Sequence, residues 1–220
     1  MKTIPLEENN FMSIDILGSW MEVGMVLAAV GVGCMMIFSM IGKMKRKNKK
    51  RIHPNSPMFR ETHSRIHELL TETRVRLSAD RAVVLQFHNG GEFIDGTSMK
   101  KMSSTHESCQ MGVSETIANR KDVLLSPFIE MLDMISDGRE SRIEATSNLP
   151  DCHFKRHLES NHTLVFSIYP IKGVKNLVIS GAFLLEWCNW DRADMIDDDE
   201  VSVIIPQTVR YIEGQLLNNK

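Results

Sequence analysis

The sequence lacks the residue spacings that mark the commonest catalytic and metal-binding sites. It contains no C-x-x-C, no H-E-x-x-H, no G-x-S-x-G and no glycine-rich phosphate-binding loop; these patterns carry zinc ligands, serine nucleophiles and nucleotide phosphates. Charged residues are also missing between residues 23 and 42. From the first absence we expect a non-enzymatic protein without a resident metal, and the second points to a membrane.

Cysteine is scarce and irregularly spaced. Of the four cysteines, Cys34 falls inside the uncharged run, which leaves an odd number, Cys109, Cys152 and Cys188, for the rest of the chain. A disulfide framework needs pairs, and small secreted domains usually show close cysteine spacings. The sequence therefore predicts a domain that occupies a reducing compartment.

The uncharged run has the length of a membrane span. At ~1.5 Å per residue, a helix over residues 23–42 crosses the ~30 Å hydrocarbon core of a bilayer. A cleaved signal peptide would carry its basic residues before the apolar run, whereas here they follow it. We predict a short extracytoplasmic segment over residues 1–22, a transmembrane helix over 23–42, a basic juxtamembrane linker over 43–57 and a soluble domain over 58–220.

A basic cluster directly after this run predicts its orientation. Because the N-terminal flank is acidic, the positive-inside rule places the soluble domain in the cytoplasm of a single-pass inner- or plasma-membrane protein. The cluster is either a topology signal alone or also a surface that attracts anionic lipid headgroups. Its members are Lys43, Lys45, Arg46, Lys47, Lys49, Lys50 and Arg51.

Small residues recur within the predicted span. Gly24 with Ala28, and Ala29 with Gly33, stand four residues apart, a spacing that lets two membrane helices approach closely. The pattern is also common by chance in spanning helices. It leaves open a homodimer formed through the transmembrane and terminal helices.

Residues 58–220 predict an α+β domain. Apolar residues at helical spacing predict a first helix over 58–77. They also predict a last helix, with an acidic start at 191–200 and an apolar stripe from 201 to 216. Pro206 should kink this last helix or stagger its start. Strand-like runs occupy 81–87, 93–104, 123–125, 163–171 and 177–188, with turns expected at Asn89-Gly90-Gly91 and Asp95-Gly96 and a short helix at 112–119.

These elements favour one antiparallel sheet. Its last two strands form a hairpin, the first and last helices cover one face, and the mixed segment 129–149, with a polar surface stretch at 136–148, crosses the other face.

Three stretches resemble the GAF family, a group of sensory domains related to PAS domains. Residues 77–87 are similar to its helix-to-first-strand junction, 112–126 to its glycine, short helix and valine-leucine strand, and 157–186 to its final hairpin. The resemblance spans about residues 63–217 and lies in pattern, without a catalytic signature.

The resemblance implies a pocket on one sheet face, where relatives hold cyclic nucleotides, tetrapyrroles or small metabolites. The sequence departs from each case: the asparagine-lysine-phenylalanine-aspartate-glutamate set of cyclic-nucleotide-binding members is missing, and no cysteine has the surroundings of a bilin attachment site. Many members bind nothing small and act as dimerisation modules. The cofactor therefore stays unknown, and we expect a small-molecule or protein partner and no nucleic acid.

A few residues are candidates for the pocket. His88 and Asn89 follow the first predicted strand, where they either form a structural turn or contact a ligand. Met99, Met102 and Met111 are candidates for an adaptable pocket lining, because methionine fills irregular space.

Two further polar clusters favour structural explanations. His106, Cys109, Cys152, His153 and His157 contain zinc-type donors, but their spacing matches no known zinc site. The acidic residues between 194 and 200 lack the alternation and glycine of a calcium loop and suit a solvated helix start.

These expectations describe a membrane-anchored, non-enzymatic sensory or interaction module. We expect no kinase or cyclase output domain beyond residues 58–220, so any signal would pass to the anchor or to a separate partner. The alternative is a phage-encoded single-span holin or lysis regulator. Single-span holins place their soluble domain outside the inner membrane, which the basic cluster opposes.

Overall fold

The computed structural model describes residues 35, 56–94, 96, 98–136, 143–173 and 178–218. The chain divides after Arg51 into two units, Met1–Arg51 and Ile52–Lys220. The predicted span, its small-residue pairs and the basic cluster lie outside the described residues, apart from Met35. Within the described ranges, no helix is both long and apolar enough to cross a bilayer.

Ile52–Lys220 is built on a six-stranded antiparallel sheet with the order β3-β2-β1-β6-β5-β4. The elements in chain order are α1 (Pro57–Arg76), β1 (Arg81–Glu92), β2 (Ser98–Cys109), β3 (Val123–Leu124), α2 (Ile129–Ser136), β4 (Glu144–Ala145), a 3₁₀ turn (Thr146–Asn148), α3 (His153–Ser160), β5 (Val165–Lys172), β6 (Ile179–Trp187), α4 (Trp190–Ala193) and α5 (Asp198–Asn218).

The first helix is specified by its ends. Ser56 caps α1 by accepting a hydrogen bond from the Phe59 amide at 3.1 Å, and Pro57 occupies the first turn, where its missing N–H costs nothing. After Leu77 the chain turns through Ser78, which has a positive φ of 52°. The prediction of a helix over 58–77 is confirmed.

The two faces of the sheet carry separate apolar clusters. On one face, called the helix face, α1 and α5 bury residues such as Ile66 and Ile205 against Val84 and Phe183. On the opposite face, α2 and α3 pack over the sheet. The core of that opposite face is Val83, Leu85, Met102, Leu125, Phe128, Met131, Met134, Ile135, Leu149, Phe154, Leu158, Phe166, Ile168, Ala182 and Leu184.

The predicted hairpin and final helix are confirmed with small shifts. β5 and β6 pair from Val165↔Trp187 to Lys172↔Ile179, and α5 runs through Pro206 without ending there. Glycine is required at position 181, because an added Cβ would lie 2.2 Å from the Leu85 carbonyl oxygen on β1. This close approach lies at the centre of the sheet.

Three local predictions are wrong. Asn89-Gly90-Gly91 is no turn, because β1 continues to Glu92 with a register shift between Asn89 and Gly91. The turn follows at Phe93–Gly96, where the Gly96 amide donates to the Phe93 carbonyl at 2.9 Å and Gly96 has φ 79°. The return strand, predicted over residues 93–104, starts only at Ser98 and extends to Cys109.

The third wrong prediction concerns a helix. Residues 112–119 form turns instead of a helix, because the Glu107 carboxylate accepts the Thr116 and Ile117 amides at 2.7–3.1 Å. The structure also contains a helix that the sequence did not predict, α3. Cys152 caps it by accepting the Lys155 amide on sulfur at 3.3 Å.

Candidate ligand cavity

A cavity of about 520 Å³ opens on the opposite face of the sheet, beside α2. It adjoins the apolar cluster of that face, and several of its lining residues are members of that cluster. Its described lining residues are Phe87, His88, Asn89, Phe93, Ser98, Lys100, Leu125, Ser126, Leu132, Ile135, Ser136, Val178, Ile179 and Ser180.

The described residues of the cavity wall are chiefly apolar and include one cationic group at the rim. Seven of the described lining residues are aliphatic or phenyl side chains, and the others include one lysine but no aspartate, glutamate or arginine. Lys100 is exposed, and its Nζ donates to Asn89 Oδ1 at 2.6 Å. The polar rim therefore presents an ammonium group near an apolar interior.

Strand register positions this rim. Lys100 on β2 pairs with Asn89 on β1, and Met102 pairs with Phe87 two residues further along. Side chains alternate between the faces of a strand, so Phe87 and Asn89 share one face. The polar pair Asn89–Lys100 therefore lies on the same face as the apolar pair Phe87–Met102, one step closer to the ends of the two strands.

His88 contributes to the cavity wall, but its imidazole has partners elsewhere. Nε2 bonds with Ser103 Oγ at 2.9 Å and lies 3.5 Å from Asp122 Oδ1, while the same serine hydroxyl accepts the Asp122 amide at 2.9 Å. A catalytic triad needs its carboxylate on the nitrogen that does not face the serine. Here both contacts use Nε2, so this group is a structural link between β1, β2 and the start of β3.

The three candidate methionines are dispersed. Met102 is 1% exposed in the core of the opposite face. Met99 is half-buried on β2 and does not line the cavity, and Met111 is 94% exposed beside a different surface depression near Asp80. Of the five predicted residues, the structure brings only His88 and Asn89 to the cavity, and their part in ligand binding stays a prediction.

Sequence reasoning missed most of the cavity. Lys100 and Phe93 lie in the strand predicted over 93–104, and Leu132 and Ile135 lie in the mixed segment 129–149. A short apolar run at 128–135 was the available signal, since it forms α2 and buries Met131 and Ile135.

A buried ion network lies at the other end of β1 and β6. Glu186 is fully buried and accepts hydrogen bonds from Arg120 Nη2 at 2.7 Å, Arg81 Nη1 at 3.3 Å and Thr163 Oγ1 at 2.9 Å. Burial alone would raise the pKa of Glu186, but the two guanidinium groups hold it below its usual value. The network fastens the loop that carries Arg120 to the sheet.

The zinc-type donors are not assembled into a site. In the described ranges, no group of three or more histidine, cysteine, aspartate or glutamate residues has an arrangement that could hold a metal ion. Cys152 caps α3, and His157 Nε2 accepts from Arg120 Nε at 3.1 Å. Burial raises the pKa of Cys109 to about 12 and that of Cys188 to about 11, so both thiols are protonated at neutral pH.

Comparisons with known proteins identify the fold. No protein-family model and no curated protein sequence matches this chain. Among solved structures, a phycoerythrobilin-bound GAF domain from a cyanobacterial phytochrome is similar with a TM-score of 0.51 and 12% identity, covering 74% of this chain and 94% of that one.

Two further structures agree. A far-red cyanobacteriochrome photoreceptor has a TM-score of 0.51 at 8% identity, covering 83% of this chain and 96% of its own. A phycocyanobilin-bound GAF domain from a cyanobacterial phytochrome has a TM-score of 0.50 at 10% identity, covering 82% and 93%. Likeness at such low identity identifies architecture alone. Ile52–Lys220 therefore has the GAF fold, as the sequence resemblance predicted.

Proposed function

We propose that this protein is a non-enzymatic GAF-type module that binds a small, mainly apolar ligand carrying an anionic group, and that residues 23–42 tether it to a membrane. The observation that carries the proposal is the cavity beside α2, whose described lining residues form apolar walls and contribute the ammonium group of Lys100. Small-molecule sites are typically mostly apolar clefts of about 300–1,000 Å³ with a few polar groups that orient the ligand.

The size and chemistry of the cavity restrict the ligand. About 520 Å³ accommodates a compact molecule of one to three rings or a medium-length acyl chain. An anion at the rim would pair with Lys100, which already donates to Asn89 Oδ1. Because Lys100 is exposed, this pair adds only about 1 kcal/mol or less, and burial of the apolar part supplies most of the affinity.

Covalent chromophore attachment has no support in this cavity. The described lining residues include no cysteine, although the solved GAF domains named above bind bilins. Binding is also favoured over catalysis. The His88 imidazole bonds with Ser103 through the nitrogen that also faces Asp122, and the half-buried thiols of Cys109 and Cys188 are protonated.

Two fluorescent probes of nearly identical shape test the binding proposal. 1-Anilinonaphthalene-8-sulfonate is an apolar anion, and N-phenyl-1-naphthylamine is the same ring system without the sulfonate. We expect the full-length protein in detergent to bind both probes. Lys100→Gln should lower the affinity for the anionic probe by roughly fivefold and leave the affinity for the neutral probe unchanged.

The matched control is Lys121→Gln, which removes the same charge from an exposed lysine outside the cavity lining. It should change neither affinity. If both variants lowered the affinity for the anionic probe equally, a role for Lys100 would be contradicted. If the protein bound neither probe, the binding proposal itself would be contradicted.

The tether has its own test, because it depends on the sequence of residues 23–51. A C-terminal reporter that is active only in the cytoplasm should be active on the full chain, and its periplasm-active counterpart should be inactive. The reverse result would contradict the proposed orientation and make the holin-type alternative the leading one.

A further inference from the structure

The contact between α1 and β2 is polar, although the neighbouring face of α1 packs into the apolar core. Along α1, His63, His67, Thr71 and Arg74 recur at helical spacing. His106 and Ser108 on β2 and Gln110, just after this strand, recur at every second residue. The bonds are His63 Nδ1 with His106 Nε2 at 2.6 Å, Thr71 Oγ1 with Ser108 Oγ at 3.0 Å, and Arg74 with Ser108 and Gln110 at 3.1 and 2.6 Å. We call this line of contacts the polar seam.

Three histidines form the N-terminal half of the polar seam. The His63 and His106 rings stack with centroids 4.8 Å apart, and the His67 ring lies 5.0 Å from His106. His106 is 1% exposed, His63 is half-buried and His67 is exposed. Phe59 closes the outer side with its ring centroid 4.0 Å from that of His63. The cluster therefore holds one deeply buried imidazole beneath two others.

The surroundings of His106 do not stabilise a positive charge. Its second nitrogen, Nδ1, bonds with the neutral Thr105 hydroxyl at 3.0 Å, and its partner across the ladder on β1 is the apolar Val84. The charges that act on it come from His63 and His67, and Arg74 at the far end of the seam is also cationic. Burial, followed by these two imidazoles, lowers the pKa of His106 to about 3. Burial and His67 lower the pKa of His63 as well.

We propose that the His63–His67–His106 cluster is an acid-sensitive clasp, and that its protonation releases the N-terminal half of α1 from β2. The bond between His63 Nδ1 and His106 Nε2 needs one donor and one acceptor, so it cannot survive when both rings are doubly protonated. Leu70, in the C-terminal half of α1, is completely buried in the core, so release stays local to the N-terminal half at moderate acidity.

The sign of the pH effect follows from the direction of the shift. A histidine whose pKa is lower in the folded state takes up a proton when its surroundings open. The stability it contributes is complete above its ordinary value of 6.5 and is lost as the pH falls toward about 3. Since α1 begins at Pro57, the end of the predicted juxtamembrane linker over 43–57, acidification would free the chain next to the predicted membrane anchor. This inference does not depend on the ligand proposed above.

Hydrogen exchange on the full-length protein in detergent tests the inference. The buffers contain EDTA, so that protons alone act on the imidazoles. Between pH 7.5 and 5.0, after correction for intrinsic exchange, we expect opening of residues 57–67 to increase by about 30-fold. One histidine takes up a proton when the segment opens, and pH 5.0 lies 1.5 units below its ordinary pKa of 6.5. β1 and β6 should keep their protection. Equal protection of residues 57–67 at both pH values would overturn the proposal.

A pair of variants assigns the effect. His106→Leu should abolish the pH-dependent increase, while His162→Gln, at an exposed histidine outside the seam, should retain it. An increase that survives in His106→Leu would overturn the assignment. If that variant does not fold, the NMR titration of ¹³C-labelled histidine in the unmodified protein decides instead: His106 should titrate below pH 5, and titration near 6.5 would overturn the proposal.

Discussion

The two faces of the sheet are built differently. The helix face is covered by two long helices, α1 and α5, whose Ile66 and Ile205 are completely buried. The opposite face is covered by two helices of eight residues, α2 and α3, and a cavity remains beside them. Close packing stabilises a fold and open apolar space can accept a ligand, so we propose that the helix face contributes more to stability and that the opposite face holds the proposed ligand site.

Both faces depend on the central strand pair, and the largest predicted effect lies there. In Gly181→Val a side chain would meet the Leu85 carbonyl oxygen, since even its Cβ would lie 2.2 Å away. Separating β6 from β1 disrupts both faces, and we expect a loss of at least about 4 kcal/mol of unfolding free energy. Thermal unfolding followed by circular dichroism measures it.

The matched control is Gly214→Ala on α5, where an added Cβ meets nothing within 4 Å. It should stabilise the protein by about 0.5–1 kcal/mol, because alanine restricts the unfolded chain and favours helix. A Gly181→Val variant as stable as the unmodified protein would contradict the close approach of β1 and β6.

The next effect concerns the buried ion network. Glu186→Gln removes the charge that Arg81 and Arg120 share, and it should cost about 3–5 kcal/mol in urea unfolding at pH 7. Because the pKa of Glu186 is lowered on folding, its contribution is present above about pH 4.5 and is lost as the pH falls below that value. The variant should therefore be destabilised less in acid than at pH 7.

An exposed carboxylate provides the control for this network. Glu200→Gln breaks the surface pair with Arg76, whose side chain is 57% exposed, and should cost at most about 1 kcal/mol. Similar losses from both variants would show that burial of Glu186 adds nothing.

A third pair of variants compares the faces directly. Ile66→Ala on the helix face should cost about 2–5 kcal/mol, because it opens a void in a closed core. Leu132→Ala on the opposite face should cost about 1 kcal/mol or less, since Leu132 is half-buried and already borders the cavity. Equal costs measured by chemical denaturation would remove the proposed division between a stabilising and a binding face.

Periodicity predicted the parts of the fold that local sequence controls. The helix predicted over 58–77 has an apolar stripe within its own residues and is preceded directly by its cap Ser56 and by Pro57, and the β5–β6 hairpin has two long apolar runs. The helix predicted over 112–119 does not form, because the Thr116 and Ile117 amides donate to the Glu107 carboxylate, nine and ten residues earlier in the chain. This acceptor lies outside the predicted element, so the pattern of residues 112–119 does not reveal it.

The candidate site was less predictable for the same reason. Its wall combines residues from β1, β2, β6 and α2 with residues between these elements, so no single motif contains it. The histidine cluster shows the same limit. His106 was grouped with Cys109 by proximity in sequence, whereas the fold places it against His63 and His67 on α1. Contacts between distant elements need the register of the sheet, which composition and spacing do not specify.

Blocking the cavity tests the central claim most directly. Leu132→Trp should fill the space beside α2 with an indole ring and weaken N-phenyl-1-naphthylamine binding by at least about tenfold, while stability changes little. Ile129→Trp puts the same ring on the same helix, at a residue that is 57% exposed and outside the cavity lining, and should leave affinity unchanged. Fluorescence titration of the two folded variants compares them. Selective loss in Leu132→Trp is the result that we predict, and equal affinity in both variants would contradict ligand binding in this cavity.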